Sequence, residues 1–440
     1  MTILLRACVV AALAVLPVRA IAAVEIQEVT SPGGITAWLV EERSIPFVAL
    51  DIRFEGGANL DAPGKRGATN LMMGLLEEGA ADMDARAFAE AAEGLAARFS
   101  FEAFNDSVSI SAEVLTDNRD ASMALLRDAL VAPTFDQTAL DRVRDQVLAG
   151  IEQDARDPEE IASATMARLA FGEHPYGSAL EGTLESVTAL TREDIQAAHG
   201  TVLTRDRVYV GVTGDISAAE LGPLLDELLG DLPATGVPNA SEADYTLDGG
   251  VTVVDYPSPQ SVVLFGHEGI ARDDDDFFAA YVMNHILGGG GFQSKLMTEV
   301  REERGLTYGI GSFLVPRDLA AQHMGQFSST NDKTAEAVQI VRDIWADVAA
   351  NGVAEDRLEA AKTYLTGAYP LRFDGNGTIA GILVGMQAQE LPIDYIATRN
   401  DKVMAVTPDD VRRVAERLLQ PEDLHFVVVG QPIGLETGAF

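Results

Sequence analysis

Six histidines, His174, His199, His267, His285, His323 and His425, are the side chains of this sequence best suited to metal or proton chemistry. No two of them stand four residues apart, the spacing that sets two imidazoles on one helical face around a metal. His174 lies in the turn-rich run Phe171-Gly-Glu-His-Pro-Tyr-Gly177 and reads as structural, and His267 beside Glu268 has no further donor close in sequence. There is no Gly-x-Ser-x-Gly elbow and no phosphate loop with Lys and Ser or Thr after its glycines. The run Asp273 to Asp276 lacks the glycine and distal glutamate of a calcium loop, and reads as a solvated turn that caps the next helix.

One segment stands apart. From Asn284 to Tyr308 the chain reads as a helix end, the four glycines Gly288, Gly289, Gly290 and Gly291, a second helix and then a strand. Glycines permit positive φ and leave a backbone open to other chains. Arg301 and Tyr308 flank the helix-to-strand turn, so both side chains can reach one spot. A surface arginine and a core tyrosine fit the same residues, and spacing alone does not choose.

The elements around this segment are read from periodicity. Alternating runs at Ile35 to Val40 and Val48 to Phe54 predict strands, and Ala- and Leu-rich stretches at Ala85 to Arg98, Ala121 to Leu130 and Asp136 to Asp154 predict helices. A strand at Val208 to Gly214 precedes a helix beginning near Ser217. The run Pro233 to Gly250, rich in turn formers and without periodicity, reads as a linker. Strands at Val251 to Asp255, Ser261 to Gly266 and His425 to Gly430 then alternate with helices at Asp276 to Leu287, Thr334 to Asn351 and Glu355 to Tyr369. Thr191-Arg-Glu-Asp-Ile195 leads to Gly214 over the same distance as Thr407-Pro-Asp-Asp-Val411 leads to Gly430, each a capped helix feeding a buried strand. The expected fold is α+β, with two homologous domains (residues 24–232 and 251–440), each a mostly antiparallel sheet with helices packed on one face.

Composition bounds the function. A chain of 440 residues with 47% hydrophobic residues has enough for more than one core. Its net charge of -36 opposes binding to nucleic acid or anionic lipid; such acidity fits steering of basic peptides and equally well a merely solubilising surface. Arg6, the apolar run Ala7 to Pro17 and the small residues Ala20, Ala22 and Ala23 read as a cleaved secretory leader over residues 1–23. The sole cysteine, Cys8, lies inside that leader, so a mature chain has neither disulfides nor thiolate ligands. The expected location is the periplasm, with no stable membrane insertion, since no apolar run is long enough to span a bilayer.

The segment from the glycines to Tyr308 resembles the C-terminal-half signature of the pitrilysin, insulinase and mitochondrial processing peptidase family of zinc proteases. The likeness extends to Phe171–Gly177, to Val212-Thr-Gly-Asp-Ile216 and to Gly269-Ile-Ala-Arg-Asp273. It implies that Arg301 and Tyr308 hold a substrate backbone near a scissile bond. It also implies an H-x-x-E-H zinc motif in the first half. Here Asn70 stands for the first histidine, Met73 for the general-base glutamate and Gly74 for the second histidine, while Gly150 stands for the third ligand. Glu152, two residues on, lies about 200° round the helix. The departure implies a chain with no cofactor of its own, whose zinc belongs to a homologous partner subunit. By this resemblance the chain is expected to be a non-catalytic, substrate-binding subunit of a heterodimeric peptidase acting on peptides or unfolded protein. The alternative is a peptide-binding or structural relative without any catalytic partner.

Overall fold

The computed structural model describes residues 25–438, and the leader expected over residues 1–23 lies outside them. Strict alternation builds the first sheet. Its central strand β3 (Phe47–Glu55) turns Val48, Leu50, Ile52 and Phe54 into one core. Around it lie β1 (Gln27–Thr30), β2 (Thr36–Glu41), β4 (Arg98–Ala103), β5 (Ser107–Leu115) and β6 (Val208–Gly214), in the order β1-β2-β6-β3-β5-β4. The second sheet holds β7 (Gly250–Asp255), β8 (Gln260–Glu268), β9 (Ile310–Pro316), β10 (Ala321–Thr330) and β11 (His425–Gly430), in the order β7-β11-β8-β10-β9.

The two orders superpose strand for strand, β2 on β7, β6 on β11, β3 on β8, β5 on β10 and β4 on β9. Each sheet also has one parallel pair at the same place, β2 with β6 and β7 with β11, and the other pairs are antiparallel. The duplicated helix–strand unit has the same local chemistry twice. Thr191 and Asp194 form a reciprocal capping box at the start of α7 (Arg192–Val202), and Thr407 and Asp410 form one at the start of α14 (Pro408–Leu418). Both strands that follow end on glycines at positive φ, Gly214 at 141° and Gly430 at 157°.

One face of the first sheet is covered by α1 (Ala68–Met73), α3 (Arg119–Val131), α4 (Gln137–Asp154), α7 and α8 (Ala218–Leu229). Helix α2 (Ala85–Leu95) packs Phe88 with Leu125 and Ala129 of α3, and the short α6 (Leu184–Ala189) buries Val187. The matching face of the second sheet is covered by α9 (Phe277–Asn284), α10 (Thr334–Asn351), α11 (Glu355–Ala368) and α14. These are the helices expected on one face of each sheet. The opposite faces are closed by an exchange. Helix α5 (Pro158–Phe171), from the first half, lays Ala162 and Met166 on Leu264, Val427 and Val429 of the second sheet. Helix α12 (Asn376–Ala388), from the second half, lays Leu383 and Met386 beside Trp38 of the first. Period two makes this possible: Val263 and Phe265 face one core while Leu264 between them faces the other. Gly211 permits the close approach of α12, since a β-carbon there would sit 2.3 Å from the Ala380 carbonyl oxygen.

Candidate functional site

The four positions matched to a zinc site occupy α1, its C-terminal end and α4. Asp61 holds the start of α1, accepting from the Gly67 and Thr69 amides at 2.9 Å each. Met73 is 1% exposed and packs in the first core, whereas Asn70 is half-buried and Gly74 and Gly150 are exposed. Helices α1 and α4 touch at Gly74, where a β-carbon would lie 3.3 Å from Val143 Cγ1. Gly150 is two turns beyond Val143 on the same stripe of α4, roughly 10 Å along the axis. The arrangement does not fit zinc: an amide, a thioether turned inward and two glycines supply no set of three donors. Among the described residues, no group of three or more His, Cys, Asp or Glu could hold a metal ion.

The glycine-rich segment is more helical than its composition implies. Helix α9 runs on through a wide π-type turn, His285–Gly289, then a tight turn at Gly291–Gln293 and a second wide turn at Met297–Glu302. Of the four glycines only Gly291 has positive φ, at 58°. Gly288 is required for a different reason: a β-carbon would sit 2.3 Å from Ser312 Oγ and 2.5 Å from the Ser312 amide nitrogen, so the loop lies flat on β9. Tyr308 is 87% exposed and lines a cavity together with Gly288, Gly289 and Gly291. The Arg301 guanidinium lies over the exposed Phe292 ring, 4.7 Å from its centre.

Beneath the loop is a buried polar network that the sequence does not announce. Asn284, the last residue of α9, donates to the Ser312 carbonyl at 3.1 Å. Its side-chain oxygen accepts from Ser312 Oγ at 2.7 Å and lies 2.9 Å from His323 Nε2. His323 packs against His267, which takes a hydrogen bond from Trp345 Nε1 at 3.1 Å and bonds the Glu268 carbonyl through Nδ1 at 2.6 Å. Accepting at Nε2 makes His267 neutral with its proton on Nδ1. Burial, opposed by the bond to Glu268, holds its pKa down at about 4. Burial and the neighbouring His267 push His323 well below the ordinary histidine value. Neither imidazole is a ligand; the pair fixes the end of α9 against β9 and β10, and so the loop beyond it.

The remaining histidines are structural too. His174 accepts from the Tyr176 amide at 3.1 Å, His199 contacts the Leu130 carbonyl at 2.8 Å and His425 the Asp248 carbonyl at 2.7 Å. His285 stacks on Tyr364 with ring centres 5.2 Å apart. Tyr176 joins the halves, donating to Asp106 at 2.5 Å and accepting from the Leu319 amide at 3.1 Å. The acidic run before α9 ends at the helix start, as expected, but Asp276 pairs with Arg413, and Asp274 with Arg417 at 3.0 Å, in place of capping by Asp276.

The cavity that Tyr308 opens onto has a volume of about 1350 Å³. It is bounded by β8, by the edge strand β9, by the first turn of α5 and by α12, so both halves wall it. Arg272, Arg372 and Arg399 also line it; Arg272 belongs to the Gly269–Asp273 run, whereas no motif in the sequence singles out Arg372 or Arg399. No helix among the described residues is long and apolar enough to cross a membrane.

Comparisons with known proteins agree with this architecture. Residues 38–184 match the family described as insulinase (peptidase family M16), and residues 189–365 match the peptidase M16 inactive domain. A Helicobacter pylori protein named "Non-peptidase homolog YmxG" is 26% identical over 396 residues, covering 88% of this chain and 90% of its own. An uncharacterised zinc protease of Streptomyces coelicolor is 24% identical over 411 residues, covering 90% and 87%. The crystal structure of a peptidase M16 inactive domain from Pseudomonas fluorescens superposes with a TM-score of 0.86 at 28% identity, over 94% of this chain and all of the other. A Helicobacter pylori protease, at 16% identity, shares the fold with a TM-score of 0.84 over 92% of this chain and 99% of its own. With the two family matches lying end to end along it, over residues 38–184 and 189–365, the chain belongs to peptidase family M16.

Proposed function

We propose that this chain is the non-catalytic, substrate-binding subunit of an exported two-chain zinc peptidase. The observation that carries the reading is the contrast between its two sites. Met73 is turned into the core at the position of the general base, while Tyr308 stands 87% exposed at a cavity of about 1350 Å³. A tyrosine left in solvent beside a tightly built glycine loop has its hydroxyl free for a ligand. Strand β9 ends the second sheet and lines the same cavity, so its free edge offers backbone groups to an extended peptide. The zinc and the base belong to a homologous partner, and Arg301 and Tyr308 act on the substrate from this side.

The test is to mix the chain with an exported homologue that carries H-x-x-E-H and to follow sedimentation and peptide cleavage. A complex of about twice the chain mass that cleaves faster than the zinc subunit alone is the expected result. An interface above roughly 1,000 Å² goes with a complex of that stability. Chains that stay apart at micromolar concentration overturn the heterodimer and favour the second reading, a peptide binder without a catalytic partner. That reading draws on the same exposed β9 edge and cavity.

A further inference from the structure

Three arginines converge on one wall of the cavity, and their counter-charges are missing. Arg399 is only 5% exposed, yet it is held by neutral groups alone: its guanidinium donates to the Leu365 carbonyl at 2.9 Å and to the Tyr281 hydroxyl at 3.2 Å. It also lies over the Tyr369 ring, 4.5 Å from the centre. Arg272 donates to the Tyr395 hydroxyl at 2.7 Å and stacks 4.2 Å from the centre of Phe277. Arg372 reaches the same place from the turn after α11. The phenol of Tyr369 feels all three: burial and Tyr395 raise its pKa, while Arg399, Arg372 and Arg272 pull it down.

Among the described residues, none of these arginines has a carboxylate within ion-pair distance, in a chain with 68 acidic residues. Of the acidic run next to Arg272, Asp274 pairs with Arg417 and Asp276 with Arg413, and neither Asp273 nor Asp275 reaches Arg272 within ion-pair distance. The carboxylates that do line the cavity, Glu159 and Glu160, stand on α5. Arg399 is thus a buried cation with no opposite charge beside it, a costly arrangement that a carboxylate arriving from the cavity offsets.

We propose that Arg272, Arg372 and Arg399, with the hydroxyls of Tyr281, Tyr369 and Tyr395, form a subsite for a carboxylate of the bound peptide. The inference rests on the reading of the cavity as a peptide chamber and adds to it the chemistry that the chamber selects. Guanidinium pairs match a carboxylate's two oxygens, and the surrounding aromatic faces keep water from competing. The acidic exterior and this subsite act on different parts of a ligand: the first attracts basic residues at long range, and the second captures a carboxylate at contact. A C-terminal carboxylate and a Glu or Asp side chain share that chemistry.

The experiment measures binding of fluorescein-labelled twelve-residue peptides to the full chain by anisotropy. One pair differs only in a C-terminal acid or amide, and a second set differs only in Glu or Gln at successive internal positions. At least one acid form is expected to bind about tenfold more tightly than its uncharged twin. The first pair or the second set shows which source of carboxylate is taken. Arg272→Gln combined with Arg372→Gln should reduce that preference below twofold, and Arg372→Gln alone, at an exposed position, should lower it with the unfolding midpoint unchanged; Arg399 is left in place because it is buried. Acid and uncharged twins that bind within twofold of each other overturn the subsite while leaving the peptide chamber standing. A preference that survives the double substitution also overturns it. Peptides that fail to bind in any form overturn both the subsite and the chamber.

Discussion

His267 and His323 face each other across the β8–β10 ladder as direct register partners, their ring centres 5.2 Å apart and both buried. Two imidazoles this close cannot both carry charge, and the hydrogen bonds on His267 require it to be neutral. The pair is therefore a structural device: through Asn284 it ties the last turn of α9 to β9, the strand that the glycine loop lies on.

This neutrality makes stability pH-dependent. Imidazoles of the unfolded chain protonate near pH 6.5, whereas in the folded protein His267 does so only at about 4, and burial beside His267 holds His323 well below its ordinary value. Below pH 6.5 the unfolded state binds more protons, so the stabilisation is complete above that pH and lost as pH falls. For His267 alone the loss by pH 4 is roughly 3 kcal/mol. Asp318 works in the opposite sense. Burial, then Asp106 and Glu55, raise it to about 6, so its contribution is present at low pH and lost as pH rises through that value. Urea unfolding of an Asp318→Asn variant should show a falling midpoint from pH 7 to 5. Imidazole NMR signals of His267 should stay neutral at pH 5.5; a titration midpoint near 6.5 contradicts the packing described here.

The glycines of the loop separate into two kinds, and substitution distinguishes them. Gly291→Ala meets no atom within 4 Å and costs only the strain of its left-handed backbone, about 1 kcal/mol. Gly288→Ala drives a methyl into Ser312, including its backbone nitrogen, and should cost about 2–3 kcal/mol or displace the loop from β9. Equal losses in chemical denaturation would show that close approach is not what demands glycine at 288.

At the position of the missing base, Met73→Glu places a carboxylate among Leu71, Met72 and Leu76 in the first core. An unpaired buried charge of this kind costs about 3–5 kcal/mol, while Asn70→His, on the half-buried side of α1, should change stability by less than about 1 kcal/mol. Thermal unfolding compares the two. A Met73→Glu protein as stable as the parent would mean that α1 can roll to present the side chain to solvent.

The duplication was legible because Thr191 to Gly214 and Thr407 to Gly430 repeat a cap, a helix and a strand at equal spacing, and local rules suffice for each part. The glycine-to-Tyr308 segment was legible as a distinctive composition, although close approach, not positive φ, explains Gly288. Strand β10 was not foreseen: Ala321 to Thr330 mixes Gln, His, Ser and Thr with few apolar residues, and its buried members gain partners only through register with β8. The network of Asn284, Ser312, His323 and His267 was hidden for the same reason, since polar residues far apart in sequence meet only when three strands and a helix assemble. Nor does periodicity say which sheet an apolar helix covers, so the exchange of α5 and α12 was out of reach. The arginine cluster depends on that assembly as well, with Arg272 before α9 and Arg399 inside α13 (Tyr395–Ala405).

Tyr308→Phe isolates the role of the exposed hydroxyl. At 87% exposure the ring makes few contacts, so loss of one oxygen should change neither the unfolding midpoint nor pairing with a zinc-carrying homologue. If the hydroxyl donates to the substrate carbonyl as it becomes an oxyanion, the contact strengthens in the transition state. The loss then falls on kcat rather than on KM. Removal of one such donor from a closed site lowers turnover by about 10²–10³. Arg301→Ala should raise KM as well, because a guanidinium also holds the ground-state carbonyl, and it frees Phe292 from its cation contact. Steady-state kinetics of the reconstituted pair separate the two effects. A Tyr308→Phe pair that turns over within about twofold of the parent would remove the hydroxyl from the chemistry and leave this subunit as a wall of the chamber.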